Sequence, residues 1–124
     1  MNADKLRVLV LDINSEALFD SLKKTNLLSV STGKLRTVKM TMKPDVIIFD
    51  YGKICDSYAM QKRMINSIYN FGFKPLIIAC MDSWEHLIHK QAKLFGVDKT
   101  FTIQQLDETS NCVTQYIFDK FVEI

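Results

Sequence analysis

The sequence predicts a three-layer α/β domain in which a five-stranded parallel sheet has helices on both faces. Its short apolar runs are continuous rather than alternating, which is typical of strands buried on both sides. Segments with helical periodicity separate these runs, and strands that alternate with helices favour parallel pairing through right-handed crossovers. The chain has 124 residues, of which 48% are hydrophobic. We therefore expect residues 1–124 to form one domain with a full core.

Five segments are predicted strands because they are rich in Val, Ile and Leu and are flanked by polar residues. Four of them are apolar runs, of which the last is the weakest. The fifth is shorter and is expected near an edge of the sheet. The four runs are residues 8–11, 46–49, 76–79 and 100–103, and the edge candidate is residues 27–31.

Helices are predicted between the strands from the spacing of apolar residues. The first places Leu18, Phe19 and Leu22 on one face. The second contains enough Val and Thr that a strand remains an alternative there. The predicted helices span residues 15–24, 34–42, 57–71, 84–95 and 108–122.

The last predicted helix carries a stripe at positions i, i+3, i+4 and i+8, formed by Val113, Tyr116, Ile117 and Phe121. This spacing predicts that the four side chains face the sheet. Phe118 falls off that stripe and is expected on a surface that contacts another molecule.

Composition excludes several classes of function. Sixteen Lys and Arg against fourteen Asp and Glu give a net charge of +2, too small a bias to predict nucleic-acid or membrane binding. The three cysteines lack metal-ligand spacing, which is typical of a reducing, cytoplasmic protein. No apolar run approaches the length of a membrane span. The sequence has no glycine-rich phosphate loop, nucleophile elbow or triad spacing, so we do not expect an enzyme.

Open parallel sheets bind ligands beyond the carboxyl ends of their strands. The predicted strands end at Asp12, Asp50, Cys80 and Ile103. Two carboxylates at neighbouring strand ends repel each other unless a cation lies between them, and Mg²⁺ is the usual cation. Alternatively, Asp12 caps the helix that begins near residue 15.

Four segments give the chain a resemblance to a known family. They are the strand and aspartate at 8–12, KPDVIIFD at 43–50, PLII at 75–78 and FGVD at 95–98. With these, the whole chain resembles the receiver domains of bacterial response regulators, the CheY-like group. The resemblance implies the flavodoxin-like strand order 2-1-3-4-5. It also implies that Asp50 accepts a phosphoryl group from a histidine kinase, with Mg²⁺ held by Asp12, Asp50 and the carbonyl of Gly52.

The chain departs from the receiver pattern at the remaining site positions. Receivers usually have a second acidic residue where Ile13 stands, and that residue is a direct metal ligand. They have Thr or Ser in place of Cys80, and Lys-Pro in place of Ile103-Gln104. The aromatic residue that switches in receivers aligns with Thr100. By the resemblance, these changes weaken the Mg²⁺ site and remove contacts to a phosphoryl group.

Two functions follow from this pattern. The first is a degenerate receiver that acts through protein contacts and depends little on phosphorylation; the second is a working phospho-receiver. The partner is expected to be a histidine kinase or an output protein, or a second copy of the chain bound through the last two helices. Cys55 and Cys80, near the same pocket, leave a thiol redox sensor as a minor alternative.

Overall fold

The sheet of this protein is parallel throughout and has the strand order β2-β1-β3-β4-β5. The computed structural model describes residues 5–24, 28–33, 44–51, 75–81, 90, 92–93, 96–108 and 111–121. The strands are β1 (Leu6–Leu11), β2 (Leu28–Gly33), β3 (Val46–Asp50), β4 (Leu76–Met81) and β5 (Lys99–Thr102). The helices are α1 (Glu16–Lys23), α2 (Ile103–Glu108) and α3 (Asn111–Phe121). The predicted fold class and strand order are confirmed.

Both faces of the sheet are buried, as the continuous apolar runs predict. On the face that packs against α1 and α3, Val10, Ile48 and Ile78 belong to one core cluster. On the opposite face, Leu9 and Ile47 are at most 2% exposed. Strands covered on both sides select apolar residues at every position, which explains the absence of alternation.

Helix α1 matches its prediction closely. Ser15 is the N-cap, and its side chain accepts a hydrogen bond from the Leu18 N–H at 3.2 Å. Leu18 and Leu22 are fully buried and Phe19 is partly buried against the same cluster. The alternative in which Asp12 caps this helix is therefore wrong.

The carboxyl-terminal part of the chain departs from the prediction in two ways. Residue 108 belongs to α2, a separate helix that apolar spacing did not predict, and the predicted last helix is confirmed over Asn111–Phe121. Phe121 is 42% exposed, whereas Phe118 packs on the core. The predicted inward position of Phe121 and outward position of Phe118 are therefore wrong.

Several predictions lie outside the described residues. These are the helices at 34–42 and 57–71, most of the helix at 84–95, and Gly52 and Cys55. Within 84–95, the described residues Lys90, Ala92 and Lys93 are helical. Among the described helices, none is long and apolar enough to cross a membrane.

Helix α3 is joined to α1 by a buried polar contact. The Ser21 Oγ donates to Asn111 Oδ1 at 3.0 Å and lies 2.7 Å from the Thr114 Oγ1. A hydroxyl has one proton, so Thr114 donates to Ser21 while Ser21 donates to Asn111. Ser21 is 5% and Thr114 9% exposed, so this contact lies inside the helix–helix interface.

Two aspartates, at the amino ends of β3 and β5, form hydrogen bonds with the backbone of the neighbouring strand. Asp45 pairs with both backbone groups of Arg7: its Oδ2 accepts from the Arg7 N–H and its own N–H donates to the Arg7 carbonyl, each at 2.9 Å. Asp98 pairs with Ile77 in the same way, each hydrogen bond measuring 2.8 Å. The aspartates in the KPD and GVD segments therefore anchor strands to their neighbours.

We expect Asp98→Ala to lower the free energy of unfolding by about 1–2 kcal/mol, because the partly buried Ile77 N–H loses its acceptor. Urea unfolding measures this change. Asp20→Ala, an exposed substitution on α1, is the control and should change stability by less than about 0.5 kcal/mol. Equal effects of the two substitutions would contradict the anchoring role of Asp98.

Candidate functional site

Asp50 is the last residue of β3, as predicted, and is only 3% exposed. The register pairs it with Cys80 of β4, and Cys80 in turn with Phe101 of β5. Cys80 is fully buried and is followed by Met81, so it is the penultimate residue of its strand and not the last. The carboxyl edge of the sheet thus places a carboxylate beside a thiol.

The Cys80 thiol is held in its protonated form. Burial raises its pKa far above the ordinary value of 9.0, and the negative charge of Asp50 and the nearby Cys112 raise it further. A neutral thiol is a weak hydrogen-bond donor and a poor nucleophile. These properties argue against the redox-sensor alternative at Cys80.

Asp12 lies beyond the end of β1, which stops at Leu11, so the prediction that it ends the strand is wrong. Its φ of 59° is in the left-handed region, which aspartate tolerates better than most residues. Its N–H donates to the Gly33 carbonyl at 3.0 Å. Because Leu11 pairs with Phe49, Asp12 follows β1 at the level where Asp50 ends β3.

The described part of the chain supplies fewer carboxylates for Mg²⁺ than the receiver pattern does. Asp12 and Asp50 supply carboxylates at the same level, but Ile13 packs against the core cluster and has no side-chain oxygen. Among the described residues, no group of three or more His, Cys, Asp or Glu side chains is placed to hold a metal ion. Because Mg²⁺ usually keeps several of its waters and binds through one or two carboxylates, Asp12 and Asp50 would hold it with one carboxylate fewer than the receiver pattern supplies.

The junction between β5 and α2 differs most from the prediction. Strand β5 ends at Thr102, and Ile103 begins α2 instead of ending the strand. The Thr102 Oγ1 accepts from the Gln105 N–H at 3.1 Å, and the Gln105 Oε1 accepts from the Thr102 N–H at 2.8 Å. This reciprocal pair is a capping box. Its sequence signal, Thr-x-x-Gln at 102–105, would have predicted the helix.

The positions that align with the switch residues of receivers lie in or next to the capping box. Ile103 is in the first turn of α2 and packs on the core cluster, while Gln104 is exposed. Thr100 is partly buried on β5. The neighbouring aromatic, Phe101, is 5% exposed and meets the Tyr116 ring edge-on with centroids 6.1 Å apart. The β5 aromatic is therefore fixed in the core.

The fold resembles those of solved receiver domains. No family model matches the chain, and no curated protein matches it. The signal receiver domain of the response regulator NarL from Mycobacterium tuberculosis aligns with a TM-score of 0.73 and 17% identity, covering 98% of this chain and 100% of that domain. The response regulator domain of Thermotoga maritima CheB aligns with a TM-score of 0.65 and 19% identity, covering 94% and 92%.

The isolated receiver domain of RcsB from Salmonella enterica serovar Typhimurium, solved in the presence of the phosphomimetic BeF₃⁻, gives a TM-score of 0.70. It is 15% identical, and the alignment covers 92% of this chain and 86% of that one. These likenesses show that the chain has the receiver fold of the CheY-like group.

We expect Thr102→Val and Gln105→Ala each to lower the free energy of unfolding by about 1 kcal/mol, because each removes one half of the capping box. The double variant should lose clearly less than the sum of the two, since both changes break the same reciprocal pair. A double-mutant cycle from urea unfolding measures this coupling. Strict additivity would show that the two side chains act separately.

Alkaline pH should destabilise the protein through Cys80. The folded thiol has a raised pKa, so above about pH 9 the unfolded chain releases this proton while the folded protein retains it. The free energy of unfolding then falls by about 1.4 kcal/mol per pH unit for this group. Urea unfolding from about pH 8 to about pH 10 should give a shallower decline in Cys80→Ala. Parallel declines would contradict the prediction.

Proposed function

We propose that this chain is a pseudo-receiver, a signalling domain with the receiver fold that acts through protein contacts and depends little on phosphorylation of Asp50. The junction between β5 and α2 is the observation that carries this proposal. There, the capping box of Thr102 and Gln105 starts a helix at the strand end. Ile103, in the position where receivers have a lysine, packs on the core.

Of the residues that the structure describes, those beside Asp50 offer few contacts to a phosphoryl group. The register places the neutral thiol of Cys80 beside Asp50, and Ile13 takes the place of a metal-binding carboxylate. A hydrogen bond to a charged group contributes about 1.5–3 kcal/mol. A switch that moves from mostly off to mostly on requires about 5.5 kcal/mol of differential binding. The loss of a lysine contact and the weakening of a hydroxyl contact remove most of that energy.

The aromatic side chains of this region also favour a fixed conformation. A switch requires a side chain with two accessible positions that respond to the phosphoryl group. Thr100 carries no ring, and Phe101 is buried against Tyr116 on the core face of β5. Moving Phe101 would open a cavity in the core, which is costly. The contact surface should therefore keep one shape.

In this role residues 1–124 form one domain that acts in the cytoplasm without turnover of a substrate. Its partner is a histidine kinase or an output protein. Neither membrane insertion nor nucleic-acid binding forms part of the proposed function.

A working phospho-receiver is the second candidate, and it is favoured by one observation. Asp12 directly follows β1 and Asp50 ends the neighbouring β3 at the same level, as a shared cation would require. In that case Asp50 accepts a phosphoryl group from a histidine kinase. Mg²⁺ would then be held by Asp12, Asp50 and the carbonyl of Gly52, of which Gly52 lies outside the described residues.

Phosphorylation and BeF₃⁻ binding separate the two candidates. The protein is incubated with Mg²⁺ and acetyl phosphate, and intact mass spectrometry counts the added phosphoryl groups. A second sample receives BeF₃⁻ and Mg²⁺, and backbone amide NMR spectra are compared before and after. For a pseudo-receiver we expect no stoichiometric labelling and no change along β4 and β5, because the anion lacks its contacts.

Asp50→Asn is the matched control for both measurements, since it keeps the shape of the side chain and removes the acceptor. The receiver domain of RcsB, which was solved with BeF₃⁻, serves as the positive control. Prompt labelling that Asp50→Asn abolishes, together with BeF₃⁻-induced shifts that reach β5, would establish the working receiver instead.

A further inference from the structure

One outer edge of the sheet is formed by β2, which pairs with β1 on its inner side. The Asp12 N–H donates to the Gly33 carbonyl, so the backbone groups of Gly33 point toward β1. The N–H and C=O of one strand residue point to the same side, and that side alternates along the strand. The N–H and C=O of Leu28, Val30 and Thr32 therefore point away from β1. Among the described residues, no strand pairs with them there.

Strand β2 lacks the features that usually keep a sheet edge from pairing. Natural edge strands are very short, or they carry lysine, proline or inward-pointing charges. The sequence of β2, LSVSTG, has six residues and contains neither a charge nor a proline. By contrast, β5 at the opposite edge has four residues and begins with Lys99. Of the two edges, β2 is therefore the one suited to pair with a further strand.

Helix α1 lies beside the same edge. It packs on β2 and, on its other side, against α3, where Ser21 forms its hydrogen bonds. Helical spacing places Glu16, Phe19 and Lys23 on the flank of α1 opposite Ser21. Phe19 is partly buried, and the Lys23 Nζ lies 5.9 Å from its ring centroid. Glu16 and Lys23 are exposed, so this flank is acidic at its amino end and basic at its carboxyl end.

We propose that β2 pairs with β2 of a second copy of the chain, antiparallel about a two-fold axis at Val30, and so joins two sheets into one. Val30 exchanges both of its outward hydrogen bonds with its own counterpart, and Leu28 pairs with Thr32 of the second copy. Ser29 then lies opposite Ser31, so two hydroxyl side chains face each other. Every outward N–H and C=O of the strand obtains a partner, and no like charges meet along it.

The same axis brings the two α1 helices together. They run antiparallel in the dimer, which places Glu16 of one copy near Lys23 of the other. Opposite charges that meet across an interface favour association. Phe19 lies between them and contributes apolar area near the axis, where an interface is most apolar. A strand edge alone buries little surface, so the flank of α1 supplies area that a specific dimer requires.

This inference goes beyond the pseudo-receiver proposal and does not depend on it. In the dimer, β5 lies at the far end of each sheet, outside the contact. Antiparallel pairing points the carboxyl edges of the two sheets in opposite directions. The two Asp50 sites are therefore separated, one at either end of the joined sheet.

Amide hydrogen exchange, measured by NMR on the full chain, tests the strand pairing. In dilute protein we expect slow exchange at Ser31 and Gly33, whose N–H groups point toward β1, and fast exchange at Val30 and Thr32. In concentrated protein, where sedimentation velocity detects the dimer, Val30 and Thr32 should become protected as well. General stabilisation does not produce a change at alternate residues of one strand. Unchanged exchange at Val30 and Thr32 in the dimer would overturn the proposal.

Charge substitutions at the two serines test the register. Ser29→Lys/Ser31→Lys sets lysines opposite lysines, so we expect association at least about fivefold weaker than in the unmodified chain. Ser29→Glu/Ser31→Glu should weaken it similarly. A mixture of the two variants should associate again, because each lysine then faces a glutamate. Circular dichroism checks that both variants are folded.

Lys99→Glu is the control, an exposed substitution on β5 at the opposite edge, and it should leave association unchanged. A dimer that Lys99→Glu dissociates while both serine variants retain it would contradict the β2 contact. A chain that stays monomeric in concentrated solution would also overturn the proposal, as would folded serine variants that fail to associate when mixed. Labelling of Asp50 with a phosphoryl group bears on the pseudo-receiver role alone, so the two failures remain distinguishable.

Discussion

The burial of β3 on both faces and both edges is the constraint on which the site depends. All five residues of this strand are buried, and it pairs with β1 on one side and β4 on the other. A parallel sheet brings the carboxyl ends of its strands to one edge. Asp50 is therefore almost inaccessible, and the residues at the ends of β1 and β4 surround it. Its chemistry is decided by its neighbours more than by its own identity.

Continuous apolar runs were sufficient to predict the sheet, because strands buried on both sides tolerate few polar residues. They were not sufficient to predict where strands end. Ile103 continues the apolar pattern of β5, yet the side chains of Thr102 and Gln105 satisfy the backbone groups that open a helix. Likewise, helical spacing placed Phe121 in the inward stripe. Spacing alone does not indicate that the last turn of the helix extends beyond the core.

The candidate site was predictable in part. Asp50 could be identified because it ends a predicted strand in a segment that resembles receivers. The replaced residues around it were also visible in the sequence. The protonation of Cys80 was not, because it arises from burial and from a charge on another strand. The contact of Lys99 and Lys120 with the Tyr116 ring was not predictable from the sequence either. Tyr116 and Lys120 have helical spacing, but only the packing of α3 on β5 brings Lys99 to the same ring.

The hydrogen-bonded chain from Thr114 through Ser21 to Asn111 has a consequence for how this protein can diverge in evolution. Hydrogen bonds are directional, so these groups hold α3 at one rotation and one height against α1. The orientation of the helix is then set from inside, independently of the residues on its outer side. Substitutions on that outer side can change which partner binds, while the position of the helix in the fold stays the same.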